Sequence, residues 1–551
     1  MPTPLLLRSG LRGNKYPLTL QRIPLPQLES PLWRSLSNSA MQYRMLNVTP
    51  ILKIFAGARA RALAAQNPAH VQTAQLLSLV RAAQNTAFGK AHGFNSIRSV
   101  AEYQQRVPLR SYEQFWEEFW KPAFPRLTNC TWPGTMPFFA VSSGTSSGRT
   151  KYIPLSHQMV RSNTKAGTDL LAYHVLNRPQ SKLMGGRSFM LGGSTDLTEQ
   201  VPGIFSGDLS GIAVKTLPWW AAARYFPPAH LALLKNWEEK IAILAKESLT
   251  QDIRMLSGVP SWILIFLKEL WRLRPETEGS LRAYPNFEML VHGGVNFAPY
   301  QKQFTELAKA SNTELREVYP ASEGFVAVAD RGSGEGLRMV LDHGIFFEFV
   351  PLEELGSANP KRHWIDTVEP NVNYAIVLTT CAGLWSYVLG DTVKFVDTKT
   401  PRLLVTGRTS YFLSAFGEHL SGEEVERAVA DAASHIGRSI TDYSIGALYP
   451  QSTAELGGHL IIAEFEGEVP APEQLASFAS HLDKRLSELN EDFEAHRASG
   501  FGLNAPRAHA VPTGTFAAWM KSRGKLGGQH KVPRIIVDTE LFNNLRSFVR
   551  C

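Results

Sequence analysis

Hydrophobic positions along the chain switch between a helical and an extended period, and the switches divide it into segments. From about Val48 to Ala83 apolar residues such as Leu76, Leu77 and Val80 recur at helical spacing between Arg and Gln, which predicts a helical segment. Thr86 to Phe94 carries Gly89 and Gly93 and reads as a loop. Val107 to Tyr112 opens another helix, whose Phe115, Trp116, Phe119 and Trp120 are core candidates. Between residues 155 and 320, helical segments alternate with short apolar runs. Leu234, Trp237, Ile241 and Leu244 form one stripe and Ile263, Phe266 and Leu267 another, and both read as packing. Met289 to Val291 and Leu315 to Val318 are short strands. The first ends at His292-Gly293-Gly294-Val295, the second at Tyr319-Pro320-Ala321-Ser322-Glu323-Gly324. Ligands of α/β folds collect at such strand ends, so the loops after Val141, Val291 and Val318 are expected to converge on one crevice.

Residues 337 to 395 are β-rich. Leu337 to Leu341 and Ile345 to Val350, around Asp342-His343-Gly344, predict a hairpin. Tyr374 to Thr380 is a further strand leading towards Tyr387 to Asp391. The run Gly332 to Gly336 is a turn that lacks the helix of a dinucleotide fingerprint. A Thr/Lys/Pro-rich patch at 398–401 precedes Leu403 to Arg408, and the main domain boundary is placed there. Beyond it, Ser421 and Glu424 form a capping box ahead of Val425, Val429 and Ala432. His459 to Phe465 is a strand, and Leu475, Phe478, Leu482, Leu486 and Leu489 line a long helix. The division expected is a basic, poorly ordered extension at 1–40, a large domain at 41–406 and a small α/β cap at 407–551. The extension sets Arg8, Arg12, Lys15, Arg22 and Arg34 against the single acid Glu29. It reads as an Arg-rich targeting leader or, the preferred reading, as an unfolded upstream extension with Met41 or Met45 as an alternative start.

Composition narrows the function classes. The 551 residues are 44% hydrophobic and 19% charged, as in an ordinary globular enzyme. No apolar run is long enough for a membrane span. The net charge of +8 is spread thinly, with no basic block interleaved with aromatics, so nucleic acid is not an expected partner and anionic substrates are. Cys130, Cys381 and Cys551 have no metal spacing and no disulfide arithmetic, which fits a reducing cytoplasm; the chain is separately expected to be a monomer.

The candidate chemistry is densest at Ser142-Ser143-Gly144-Thr145-Ser146-Ser147-Gly148-Arg149-Thr150-Lys151. Glycines let a backbone close on an anion with its N–H groups pointing inward. Hydroxyls add donors, and Arg149 and Lys151 add charge. A Walker loop does not fit, because Gly144 and Gly148 enclose three residues and Arg149 follows. A hydrolase nucleophile elbow centred on Ser146 fits the local pattern. Its oxyanion loop should come earlier in the chain, however, and His292-Gly293-Gly294 comes later. The nucleotide loop of adenylate-forming enzymes and a plain solvated turn also fit, so the stretch alone leaves the choice open.

Five motifs taken in order narrow it: Ser142 to Lys151, Tyr319 to Glu323, Tyr387 to Asp391, Gly407-Arg408 with Gly417-Glu418, and Lys531. Their order resembles the adenylate-forming superfamily. More narrowly, Thr86 to Phe94, Val107 to Tyr112, Ser142 to Gly148, Tyr319 to Gly324, Trp385 to Asp391 and Gln529 to Arg534 resemble the Gretchen Hagen (auxin-responsive promoter) family of acyl acid-amido synthetases, from roughly residue 45 to the end. The resemblance implies a luciferase-like α/β fold: a large N-terminal domain of β-sheets packed with helices, a β-rich subdomain, and a small mobile α/β C-terminal domain. It implies ATP and Mg²⁺ as cofactors, and a small-molecule carboxylic acid and an amino acid as substrates, joined through an acyl-adenylate.

By the same resemblance, Ser142, Ser143, Gly144, Thr145 and Ser146 would hold ATP phosphates, with Ser322 and Arg408 also at the nucleotide. Glu323 would hold Mg²⁺, Tyr319 would lie against adenine and Asp391 would take the ribose hydroxyls. Gly293 and Gly294 would let backbone approach the base or acyl group. Lys531, preferred to its rival Lys525, would meet the reacting carboxylate and α-phosphate, and Gly407-Arg408 would be a hinge. His292 reads equally as a structural histidine or as an acyl or amine contact. Ser386 and Val388 stand where many family members have arginines. The competing functions are an acyl-CoA synthetase with a thiol acceptor, a non-catalytic binding module and an esterase using Ser146.

Overall fold

The first periodic segment is helical and forms two helices. In the computed structural model α1 spans Thr49–Ala64 and α2 spans Pro68–Ala83. Asn67 separates them: its side-chain oxygen accepts the His70 N–H at 2.9 Å, and Pro68 takes the first helical position, where a missing N–H costs nothing. The expected loop at Thr86 to Phe94 contains one helical turn, Ala87–Ala91, capped by the Thr86 hydroxyl. The aromatic helix starts at Tyr112 and buries Phe115 and Trp120 completely. The structure describes residues 45–550 apart from 144–149, 193–196, 218, 233, 235–236, 295–296, 298–299, 333, 410–411, 414–419, 450–455, 491–492, 495–496, 498–502 and 526–530.

The strands in order are β1 Phe138–Ser143, β2 Thr150–Leu155, β3 Arg187–Leu191, β4 Leu197–Val201, β5 Ile204–Gly207, β6 Tyr225–Phe226, β7 Ile253–Gly258, β8 Met289–Gly293, β9 Glu314–Ala321, β10 Gly324–Val328, β11 Leu337–Met339, β12 Ile345–Pro351, β13 His363–Trp364, β14 Asn373–Thr380, β15 Tyr387–Asp397 and β16 Arg402–Arg408. Twelve of them form one sheet in the order β13-β12-β14-β15-β16-β11-β10-β9-β8-β7-β3-β6. The end from β9 to β6 is parallel, and the rest is antiparallel. A second sheet runs β2-β1-β5-β4. Helices α3 (His157–Asn177), α4 (Trp237–Ser248), α5 (Pro260–Leu273) and α6 (Gln301–Ser311) join these strands. Leu244 of α4 and Phe266 and Leu270 of α5 share one core with Phe189, Leu256 and Leu290 of the parallel strands. β12 is buried along its whole length, which is why it reads as a continuous apolar run rather than an alternating one.

One expectation fails here. Leu337 to Leu341 and Ile345 to Val350 do not pair as a hairpin. β11 lies between β10 and β16, whereas β12 lies between β13 and β14. The turn between them is held by tertiary contacts instead. Arg59 of α1 donates to Asp342 at 2.6 Å and to Asp169 of α3 at 2.7 Å, and His343 sits against the same group, with 2.9 Å between its Nε2 and Arg59.

Beyond β16 come β17 Phe412–Leu413, β18 Leu420–Ser421, α7 Gly422–His435, β19 Ile440–Leu448, β20 Gly458–Phe465, α8 Pro472–Leu489, β21 Arg507–Val511, α9 Thr515–Ser522, β22 Ile535–Ile536 and α10 Thr539–Val549. The capping box is formed: Ser421 Oγ accepts the Glu424 N–H at 3.3 Å, and Glu424 accepts the Ser421 N–H at 2.7 Å. Phe478, Leu482 and Leu486 of α8 pack with Val425 and Val429 of α7 over a sheet ordered β21-β20-β19-β22. The architecture is the expected mixed α/β one. Among the described residues no helix is long and apolar enough to cross a membrane.

Candidate active site

Parallel pairing brings the ends of β8 and β9 side by side, with Gly293 opposite Val318. A Cβ at Gly293 would lie 2.1 Å from the Val318 carbonyl oxygen, so the close approach of β8 and β9 requires a glycine here. Gly294 follows at φ +80°, and a Cβ there would lie 3.8 Å from Lys531 Nζ. The lysine singled out near the C-terminus and the glycine at the end of β8 therefore meet.

β9 runs further than its apolar pattern suggested, through Tyr319 to Ala321. Ser322 and Glu323 form the two-residue turn into β10, since Ala321 pairs with Gly324. Gly324 is confined by Ile345, whose Cδ1 would lie 2.7 Å from an added Cβ. Glu323 is buried at this turn and accepts the Tyr387 hydroxyl at 3.1 Å. Asp391, further along β15, accepts the Tyr319 hydroxyl at 2.6 Å. Both tyrosines are buried, and burial beside Glu323 pushes the Tyr387 hydroxyl well above its ordinary range, so it remains a donor.

Asp391 pairs in the ladder with Arg408, of which the backbone alone is described, and Thr392 pairs with Gly407. The step expected to be a hinge is thus the last hydrogen-bonded piece of β16. Ser142 and Ser143 are the final residues of β1, opposite Lys151 and Thr150, and only their backbone is described. Gly144, Thr145 and Ser146 lie outside the described residues, as do Gly417 and Glu418. Lys151 sits 3.8 Å from Glu113 and 5.2 Å from the centroid of the Tyr112 ring. Tyr112 accepts the Tyr152 N–H at 2.9 Å, and Phe115 of the same helix packs against Tyr387, with 6.1 Å between ring centroids. The basic end of the small-residue loop and the two Tyr-to-acid motifs accordingly occupy one corner.

Two polar groups at this edge were not fully anticipated. His292 is almost fully buried and stacks on Phe297 at 3.5 Å between ring centroids, and neither ring nitrogen has a hydrogen-bond partner among the described residues. Burial holds its pKa down at about 3, so it is neutral. Its register partner on β9 is Glu317, whose carboxyl burial pushes up to about 7. Glu317, in the middle of β9, carries no motif signal.

Ser386 turns away from this corner. It is fully buried at φ +47°, where its Oγ accepts from Arg362 at 2.6 Å, donates to Glu348 at 2.9 Å and lies 3.1 Å from the Tyr103 hydroxyl. Arg362 also forks onto Glu348 at 2.9 and 3.0 Å. Arg362, the residue before β13, thus reaches Ser386 from outside that residue's own motif. Val388 packs near Val350, Ala375 and Val377.

Among the described residues no three His, Cys, Asp or Glu side chains gather into a protein-only metal site. A single oriented carboxylate such as Glu323 instead fits Mg²⁺, which takes one or two carboxylates and fills its other positions with phosphate oxygens and water.

Three family models match the chain in succession: the GH3 family N-terminal domain at residues 62–313, the central domain at 338–408 and the C-terminal domain at 423–540. The chain belongs to the GH3 family. Its similarity to an indole-3-acetic acid-amido synthetase GH3.3 of Arabidopsis thaliana is 25% identity over 220 residues, 38% of this chain and 36% of the relative. Similarity to the jasmonoyl–L-amino acid synthetase GH3.5 of Oryza sativa subsp. japonica is 27% over 258 residues, 43% of each chain. These alignments span well under half the length of either relative. Similarity of structure reaches further. The GH3-family acyl acid amido synthetase AtGH3.15, in complex with 2,4-DB, superposes with a TM-score of 0.74 over 90% of this chain and 96% of that one, at 17% identity. A 2-hydroxyisobutyryl-CoA ligase in the postadenylation state superposes with a TM-score of 0.56 over 87% and 91%, at 14% identity. The fold is that of the adenylate-forming enzymes.

Proposed function

We propose that this GH3-family protein is an ATP-dependent acyl acid-amido synthetase, which adenylates a carboxylic acid and passes the acyl group to the amine of an amino acid. What supports the reading most is the meeting of Lys531 with Gly294 on the edge that also holds the Tyr319–Asp391 and Tyr387–Glu323 pairs. Relatives named as indole-3-acetic acid-amido and jasmonoyl-amino acid synthetases point the same way.

A carboxylate does not acylate an amine in water, because oxide would have to leave. A carboxylate oxygen attacks the α-phosphorus of ATP, the bond to pyrophosphate breaks, and an acyl-adenylate results. The amine lone pair then attacks the acyl carbon, the C–O bond to AMP breaks, and the nitrogen loses a proton to give the amide. Lys531 places a fixed positive charge where negative charge shifts between carboxylate and α-phosphate. Ser142, Ser143, Gly144, Thr145 and Ser146 offer N–H and hydroxyl donors to the phosphates, with Ser322 and Arg408 at the nucleotide's margin. Tyr319 offers its ring to adenine, and Asp391, an acceptor when ionised, suits the ribose hydroxyls. Mg²⁺, which Glu323 would hold, supplies neutralisation of phosphate charge. The cap, residues 407–551, brings Lys531 onto the large domain, residues 41–406.

The test is acid-dependent ATP–pyrophosphate exchange over a panel of carboxylic acids. The best acid is then offered amino acids and coenzyme A in competition, with products read by mass spectrometry. At least one acid should support exchange and yield an amide. Exchange with none would end the reading, and a thioester in place of the amide would move it to a thiol ligase.

A further inference from the structure

The two motifs at the site share an outline that their sequences show only in pieces. Tyr319-Pro320-Ala321-Ser322-Glu323 and Tyr387-Val388-Leu389-Gly390-Asp391 each begin with tyrosine and end four residues later in a carboxylate. Along the extended strand β15 such a separation is about 13 Å, too far for Tyr387 to serve Asp391 of its own motif. Each tyrosine serves the other motif's acid instead: Tyr319 donates to Asp391 at 2.6 Å, and Tyr387 donates to Glu323 at 3.1 Å. All four side chains are at least nine-tenths buried. A hydroxyl fixed on one carboxylate oxygen stops the group turning about its terminal bond, and hydrogen bonds to charged groups are the stronger kind.

Tyr387 is itself held from both sides. Its ring packs against Phe115, with 6.1 Å between centroids. Before it in the chain stands Ser386 in a left-handed conformation, its side chain held by Arg362 and its backbone N–H accepted by Thr379 at 2.9 Å. The hydroxyl is therefore delivered by an over-determined backbone and not by a side chain free to choose its partner.

We propose that Tyr387 and Tyr319 are positioning residues for the reaction: crossed hydroxyls aim Glu323 at the cation and Asp391 at the ribose, so that the two subsites are set as one unit. This rests on the adenylation reading for the identity of the two ligands. Tyr→Phe keeps each ring and removes only the donor, so folding is preserved and the effect on ligands can be read.

The decisive experiment compares the parent protein with Tyr387→Phe, Tyr319→Phe, Glu323→Gln and the double variant Tyr387→Phe/Glu323→Gln. Mn²⁺ binding is followed by electron paramagnetic resonance in the presence of a non-hydrolysable ATP analogue, alongside the Mg²⁺ dependence of pyrophosphate exchange. Tyr387→Phe should weaken Mn²⁺ binding roughly ten- to hundredfold. It should also raise the half-saturating Mg²⁺ concentration by a similar factor, with KM for the acid unchanged. Tyr319→Phe should weaken binding of the analogue itself. In the Glu323→Gln background, Tyr387→Phe should add nothing. Unchanged Mn²⁺ affinity in Tyr387→Phe, or additive losses in the double variant, overturns the crossed-pair proposal while leaving the adenylation reading standing. A parent protein that binds no Mn²⁺–analogue complex overturns both.

Discussion

Two sets of buried polar groups flank the candidate site, and the fold treats them in opposite ways. On β12, Glu348 is fully buried and fully served: Arg362 forks onto it, and Gln104 and Ser386 complete the set at 3.0 and 2.9 Å. On β8 and β9, His292 has no hydrogen-bond partner among the described residues, and Glu317, its neighbour in register, is pushed towards its neutral form. A buried polar group costs stability unless it is paired. The first set therefore fixes a backbone shape, including the left-handed Ser386, and the second leaves a destabilised edge beside Gly294 and Lys531. Local departures from good packing tend to collect where function is carried out.

The contrast can be broken most forcefully from the satisfied side. Arg362→Met leaves Glu348 buried and unpaired and is expected to lower stability by about 3–5 kcal/mol, read by denaturant unfolding. Adding Glu348→Leu should recover much of that loss. A cost near zero for the single change would remove the distinction between the two regions.

On the site side the loss should fall on rate and not on stability. Lys531 is exposed, so Lys531→Ala should leave the apparent Tm close to the parent value while acid-dependent pyrophosphate exchange drops by ~10²–10³. Lys525→Ala, the control, should leave exchange near the parent rate. An unchanged rate in Lys531→Ala discards the lysine's role.

A smaller effect sharpens the electrostatic half of the comparison. The Glu317 carboxyl is raised from 4.5 to about 7, so between those values the folded protein holds a proton that the unfolded chain releases. Stability then falls as pH rises through that window. Glu317→Gln abolishes the fall: parent and variant should unfold alike at pH 4, with the variant more stable at pH 8 by about 1–3 kcal/mol. Identical pH profiles would show that Glu317 is paired in solution. The smallest change is His292→Phe. It keeps a ring against Phe297 and removes two unsatisfied nitrogens, so it should cost nothing and add up to about 1 kcal/mol in thermal unfolding. A clear loss of stability would mean that those nitrogens are satisfied.

Much of the fold could be read from local pattern. The apolar positions of α8, the Ser421–Glu424 cap and the buried strand β20 rest on side-chain period and capping chemistry within a few residues. The break between α1 and α2 was equally local, in Asn67-Pro68, but a continuous apolar period hid it. The supposed hairpin at Asp342-His343-Gly344 shows the limit. A turn signal specifies that the chain reverses but not which strands it pairs, and here Arg59 and Asp169, from distant helices, hold the turn while β11 and β12 go to separate places in the sheet.

The same boundary runs through the site. Sequence alone determined which residue types are available and in what order: small hydroxyl and glycyl residues ahead of Lys151, two tyrosine-to-acid motifs, a lysine near the C-terminus. Only the tertiary structure decided that Tyr319 serves Asp391, 72 residues away, that Tyr387 serves Glu323, 64 residues away, and that Arg362 reaches Ser386. Propensity and periodicity act over a few residues of chain, whereas a hydrogen bond acts over about 3 Å of space. The strand order that turns one distance into the other is set by packing across the whole sheet.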